Sequence, residues 1–398
     1  MTAIDLANPS AFVDGAQHEQ LAELRRTSPV YFQEMKGEPG FYAVLKHADV
    51  VNVARHSDVF SASEGGVVLE NLAPEQLEMM RMMLLAMDPP KHNTFREPLS
   101  EHFKAKVIAR LEDDIRCITK EIMKDVADQR DVEFVHDVTS KLPSRVIGQL
   151  MGLPEADWPL IHSLAERNTS GQDPDIAGEN PDMSASIDMA MYAIEFAGRR
   201  RAEPPRSDLT SVILDSEYGG AKMSDVDFGG FFVQLVTAGN DTTKTMLSSG
   251  LLALLQHPDQ LDELRADPSL TPGAVEEILR WANPLHYFRR TTMSDTELRG
   301  VPIEKGAKVA MYYTSANRDE DVFDDSQTCD IHRHPNPHLS FGIATHFCLG
   351  VHLARLEGKV FFEELLATFP TIELTGEPIR LRSNLNNALK RLPIRLTS

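Results

Sequence analysis

The stretch Phe341-Gly342-Ile343-Ala344-Thr345-His346-Phe347-Cys348-Leu349-Gly350 places a cysteine at the end of a small-residue loop, directly ahead of an apolar helical pattern over 351–369. A thiol at a helix N-terminus faces unpaired backbone N–H groups and the positive end of the helix dipole. Both favour a thiolate and offer hydrogen bonds to a metal-bound sulfur. Gly342 and Gly350 let the backbone approach a flat ligand closely, whereas Ala344 is costly at any positive φ. Taken alone, Cys348 reads equally as a buried structural cysteine. The rest of the chain has to decide.

Upstream, Thr237-Ala238-Gly239-Asn240-Asp241-Thr242-Thr243 interrupts an otherwise apolar helical pattern over 225–256. Gly, Asn, Asp and Thr are poor helix formers, and a local violation of propensity in mid-helix marks a candidate functional site. A hydroxyl or water could open the backbone ladder there. Glu277 and Arg280 stand three apart on one helix face and form a natural ion pair. Glu78 and Arg81 repeat that spacing, so the pair by itself signifies no more than a surface contact. His92 and Arg96 follow Pro89-Pro90 at i and i+4 and project from one helix face. Alone, they read as a solvated face rather than an anion clamp.

The chain has 398 residues, 42% of them hydrophobic and 25% charged, the profile of an ordinary globular protein. Forty Lys and Arg against sixty Asp and Glu give 40 − 60 = −20. A chain that acidic is repelled by phosphate backbones and anionic lipid, which argues against nucleic acid and membrane-surface partners. Residues 1–28 lack the pattern of a signal peptide, and no window is long and apolar enough to span a membrane. Three cysteines, Cys117, Cys329 and Cys348, are too few for a disulfide framework, so the expected location is cytoplasmic.

Helical periodicity predicts helices over 17–26, 48–55, 93–128, 135–151, 155–166, 184–201, 225–256 and 351–369. Strands are expected at 41–45, within 289–313 and in the tail, with 317–340 irregular and 171–181 a mobile connector. No repeat and no linker composition is visible. The expected architecture is mainly α with a minor β region, in a single domain over 1–398.

In order and at these separations, the motifs resemble the cytochrome P450 superfamily of heme-thiolate monooxygenases, over nearly the whole chain. The resemblance implies that fold, with the heme between the central long helix and the cysteine-bearing helix. It makes Cys348 the axial ligand of heme b iron, a thiolate that favours O–O cleavage. His92, Arg96, Arg290 and His346 match positions that hold the heme propionates, and Ala238 and Gly350 match backbone against the cofactor. Asp241 and Thr242 match the acid and alcohol whose waters deliver protons to bound dioxygen. Glu277, Arg280 and Arg333 match a structural Glu-Arg-Arg triad. Ala344 departs from the family pattern, which has a second glycine there.

The same resemblance places Leu85, Gln234, Thr237, Ala238, Leu285, His286 and Phe288 around a mainly apolar substrate space. Methionines 79, 80, 82, 83 and 87 supply either an adaptable wall or ordinary helix core. Residues 280–284 and 336–342 look similar to bacterial members that oxidise terpenoids, steroids and branched lipids. The implied partners are a hydrophobic small molecule, a ferredoxin and its NAD(P)H-dependent reductase, with Lys104, Lys106 and Arg110 as a basic docking patch. The implied reaction is hydroxylation; peroxide-driven oxidation and oxidative coupling are alternatives within the family. A zinc-stabilised binding module built on Cys329, His332, His334, His338, His346 and Cys348 is the alternative outside it.

Overall fold

The computed structural model describes residues 4–177 and 184–397. Its longest helix, Asp225–Gln256, runs 32 residues with Ser224 as N-cap, whose hydroxyl accepts from the Asp227 N–H. Apolar side chains surround most of this helix, so it is stable only when other helices cover it. Lys141–Leu150, Trp158–Thr169, Ser184–Arg201, Thr271–Ala282 and Val351–Thr368 do so. One large buried cluster joins these helices.

A five-stranded sheet lies beside them in the order Val30–Met35, Glu38–Val44, Lys308–Tyr312, Tyr287–Thr292, Phe60–Ser61. Lys308–Tyr312 pairs parallel with Glu38–Val44 and antiparallel with Tyr287–Thr292. Alternation divides the sheet residues between two cores, Phe41, Ala43, Ala310 and Tyr312 in one and Val44, Val309 and Met311 in the other. The same alternation sends Arg289 and Arg290 to opposite faces. Arg289 binds the carbonyls of Val68 and Glu70.

The helices expected at 184–201 and 225–256 have those bounds, and 351–369 ends one residue earlier at Thr368. The helix expected over 93–128 is instead three, Lys91–Ser100, Ala105–Ile108 and Glu112–Ala127, because a turn at 101–104 folds Phe103 into the core. The pattern over 135–151 splits into a wide turn at Val135–Thr139 and the helix Lys141–Leu150. There the Thr139 and Ser140 hydroxyls donate back to the carbonyls of Val135 and His136. Of the connector read at 171–181, Pro174–Ala177 is a short helix, and 178–183 lie outside the described residues.

The irregular segment 317–340 is tied down by one buried ion pair. Arg280 Nε and Nη2 each lie 2.7 Å from a Glu277 oxygen, and both side chains are fully buried. Arg280 also donates to the carbonyls of Asn317, Ser326 and Thr328 at 2.8–3.0 Å. Glu277 accepts from Asp330 N–H, Asn336 Nδ2 and Arg333 Nε. Downstream, Gly342 has φ +66° and Ala344 φ +60°. The Cys348 N–H donates to the Phe341 carbonyl at 2.8 Å, which closes the cysteine loop.

Two stability predictions follow from these two features. Arg280→Met removes the bidentate partner of a buried carboxylate and the donors to three carbonyls, and should cost about 3–5 kcal/mol, read as a lower urea midpoint; an unchanged midpoint would refute the anchoring role. Ala344→Gly should gain about 1 kcal/mol by relieving the left-handed backbone, read as a higher thermal midpoint. No gain would mean that the loop carries no such strain.

Candidate active site

The central helix continues unbroken through residues 237–243. The Thr242 hydroxyl donates to the Ala238 carbonyl at 2.7 Å, a back-bond along the helix rather than an opening of it. The polar cluster divides by face. Asn240, Asp241, Thr243 and Lys244 are buried, whereas Gln234, Thr237 and Thr242 are half-buried and Ala238 is exposed. Positions 234, 238 and 242 repeat every four residues and share one face. An open stripe in the middle of a helix whose neighbouring turns are largely buried is a surface for a ligand.

Cys348 lies just ahead of the Val351–Thr368 helix. Burial pushes its thiol up as a free group, while the Gly350 N–H and the Arg96 and Arg355 guanidinium groups oppose this and favour the thiolate. A Cβ added at Gly350 would meet nothing within 4 Å, so the backbone there borders open space. Ala344 and Phe347 of the same loop are exposed.

Four basic side chains converge beside this loop. The rings of His92 and His346 stand 4.6 Å apart, and Arg96 and Arg290 lie close enough to depress His346 through space. Burial is the larger cause, and together they bring His346 down to about 2. Its Nε2 is buried without a hydrogen-bond partner. Asp88, the carboxylate felt by His92 and Arg290, accepts from Ser61, Ala62 and Ser63. Two guanidinium groups and an orphaned imidazole nitrogen crowded together require an anion. A flat metal-bearing group with two carboxylates fits this set, and heme has that form.

Leu85, Gln234 and Phe288 come together. The Leu85 N–H points at Gln234 Oε1 at 3.4 Å, and Leu85 and Phe288 pack on one small apolar cluster with Met80. Thr237 Oγ1 accepts from Asn168 on the Trp158–Thr169 helix. Leu285 is half-buried and bridges to Asn386. His286 does not join that wall. It is buried against Phe12, its Nδ1 lies 2.9 Å from Thr314 Oγ1, and burial holds it neutral, with a pKa of about 3. Met79, Met80, Met82 and Met83 are half-buried, and only Met87 of that group reaches the core.

The His- and Cys-rich segment does not converge on a metal. Among the described residues no group of three His, Cys, Asp or Glu side chains is placed to hold one. His332 pairs with Glu263 and His338 with Glu276, while burial raises the Cys329 thiol to about 12. The zinc reading therefore lacks a site. Sequence reasoning also missed Asn168, Thr169 and Lys244, which touch Thr237 and Asp241. A lysine one turn beyond Asp241 in an apolar helix was the available signal.

A family model described as Cytochrome P450 matches residues 183–397. A steroid C26-monooxygenase of Mycolicibacterium smegmatis is 37% identical over 389 residues, covering 95% of this chain and 90% of the relative. A methyl-branched lipid omega-hydroxylase of Mycobacterium bovis is 38% identical over 396 residues, covering 96% and 92%. Among solved structures, a Mycobacterium marinum cytochrome P450 in complex with pseudoionone superposes with a TM-score of 0.90 at 36% identity, covering 96% and 95%. Among the described residues no helix is long and apolar enough to cross a membrane. With a thiol at a helix start, a cluster of basic groups lacking an anion, and these likenesses along its length, the chain belongs to the cytochrome P450 family, as a monooxygenase that uses heme b.

Proposed function

We propose that this protein hydroxylates a steroid or methyl-branched lipid, taking its electrons in the cytoplasm from a ferredoxin served by an NAD(P)H-dependent reductase. The observation that carries the reading is the open stripe on the central helix, from Gln234 through Ala238 to Thr242, with the apolar Leu85 and Phe288 beside it. The two curated relatives support the substrate class, since both names describe oxygenation of a hydrophobic skeleton or chain.

Bound at Cys348, heme b supplies dioxygen activation and insertion of one oxygen atom into a C–H bond. The chain's own residues do the rest. The Gly350 N–H stabilises the sulfur as a thiolate. His92, Arg96, Arg290 and His346 hold the two propionates and neutralise them. Leu85, Phe288 and Leu285 exclude water from the reacting carbon, while Gln234 and Thr237 orient a polar end of the substrate. Thr242 holds a water against the open helix face, and Asp241 supplies its proton. Glu277, Arg280 and Arg333 fix the segment that leads to the cysteine loop.

Reduced protein under carbon monoxide should show a strongly red-shifted Soret band that Cys348→Ala abolishes; a band unaffected by the substitution would overturn the ligand assignment. Thr242→Ala should raise peroxide and lower product per electron pair consumed, about tenfold, while electron-donor oxidation continues. Unchanged coupling would remove Thr242 from proton delivery. Titration with a side-chain-bearing steroid and with a branched fatty acid should shift the spin-state spectrum, and silence to both would refute the substrate class.

The ferredoxin reading has its own support in the exposed Lys104, Lys106 and Arg110. Their turn packs on the cysteine-bearing helix, whose Arg355 and Lys359 line the same shallow cavity as Ala105 and Ala109. Charge reversal at Lys106 and Arg110 should slow reduction by an acidic ferredoxin about tenfold at low salt, and less at high salt. A rate insensitive to both changes would place docking elsewhere.

A further inference from the structure

Arg318 is only 3% exposed, yet among the described residues no carboxylate pairs with its guanidinium, and its Nη1 is buried without a hydrogen-bond partner. Its flat face lies over Trp281, 4.2 Å from the ring centroid, a contact that leaves the N–H edge unsatisfied. The acids nearby are already engaged. Glu277 is shared by Arg280 and Arg333, and Asp319 by Lys46 and the His47 N–H. Burial brings Arg318 down to about 9, with Arg280 adding to the fall and Glu277 opposing it, so it remains a cation at pH 7.

Three further groups, each from a distant part of the chain, share this environment. His18, on the helix Gln17–Thr27, is depressed by burial and then through space by Arg318, Arg380 and His286, and its buried Nδ1 has no partner. His286 is depressed by burial, Arg380 and Arg318 in turn. Arg380 reaches Asn387 Oδ1 at 3.5 Å, and the one acid acting on it through space is the exposed Asp14. One residue before His18, Gln17 is fully buried with both amide atoms unpartnered. Two guanidinium groups and two neutral imidazoles thus lie together without a paired counter-charge. Water can satisfy such donors, but a buried cation is stabilised far more by an opposite charge.

We propose that Arg318, Arg380 and His18 form a binding site for a small monovalent anion of the halide class, built from none of the residues assigned to the heme propionates. Charge selects the ligand. A dianion would bring a second negative charge into a site whose polar atoms are buried, where it would lie desolvated without a partner. Entry is from the turn at Gly15, where an added Cβ would stand 3.7 Å from Arg380 Nε and where both Arg380 and His18 are only half-buried.

The site has a structural consequence. Arg318 follows Asn317, whose side chain donates to Ser340 Oγ at 2.8 Å and accepts from the Leu339 N–H at 2.7 Å, and whose carbonyl accepts from Arg280. An anion held at Arg318 steadies the residue to which the end of the irregular segment is tied, just ahead of the cysteine loop. Because only the folded chain brings residues 18, 318 and 380 together, binding there stabilises the fold by mass action.

The test uses the heme-loaded enzyme and two readouts. Crystals soaked in bromide should show an anomalous-scattering peak beside Arg318 Nη1 and His18 Nδ1. In solution, replacing gluconate by chloride at equal ionic strength should raise the thermal midpoint by about 2–3 °C at saturation, and Arg318→Met and His18→Phe should each remove most of that rise. Ordered water at the cluster with no bromide peak would overturn the proposal. So would a chloride effect of the same size in both variants, which would be salt acting on the protein as a whole. A peak without any chloride effect on the unsubstituted enzyme would mean binding at crystal concentration only, and would overturn it too. If Arg318→Met does not fold, His18→Phe decides. Neither readout involves the ferredoxin or the substrate, so the result stands whatever becomes of the proposed function.

Discussion

The buried pair of Glu277 and Arg280 is the constraint on which the far end of the chain depends. Residues 317–340 contain no helix or strand, so their backbone groups need partners from elsewhere. Arg280 supplies donors to three of their carbonyls, and Glu277 accepts from Asp330, Arg333 and Asn336. The segment leads directly into the loop that carries Cys348. An ion pair at the end of one helix thereby governs where a thiol sits at the start of another.

The second organising feature is an imbalance of charge. The chain carries a formal −20, yet its interior gathers His92, Arg96, Arg290 and His346 with the nearby carboxylate of Asp88 already bonded elsewhere. An anion placed between Arg96 and Arg290 offsets the cost of burying those two charges, while burial lowers His92 and His346 toward their neutral forms. The acidity is a property of the chain as a whole, whereas the basic groups are gathered at one place beside the cysteine loop.

The central helix has two chemically distinct faces. Its open face is built of Ala238 and half-buried Gln234 and Thr242, and the face turned toward the Trp158–Thr169 helix carries Thr237, Asp241 and Lys244. Helical geometry alone puts an acid and an alcohol, adjacent in sequence, on either side of that divide. The helix stays regular because its polar groups satisfy one another: Thr242 bonds the Ala238 carbonyl and Lys244 neutralises Asp241.

Much of this was legible in the residues. An apolar run long enough to be buried on most sides predicts a core helix over 225–256, and the helix has those bounds. The cysteine loop, the Glu-x-x-Arg spacing and the order of the motifs identified the family. Local pattern failed where hydroxyls bent the chain, as at Thr139 and Ser140, and where the turn at 101–104 was set by the burial of Phe103. The family resemblance put His286 in the substrate wall, whereas packing against Phe12 and Thr314 takes it into a different core. Periodicity and short-range spacing fix the long central elements and the residue types that carry the chemistry. Which distant side chains meet is settled by packing. The approach of His92 to His346 and of Lys244 to Glu166 depends on how helices far apart in the chain pack, and no local rule encodes that.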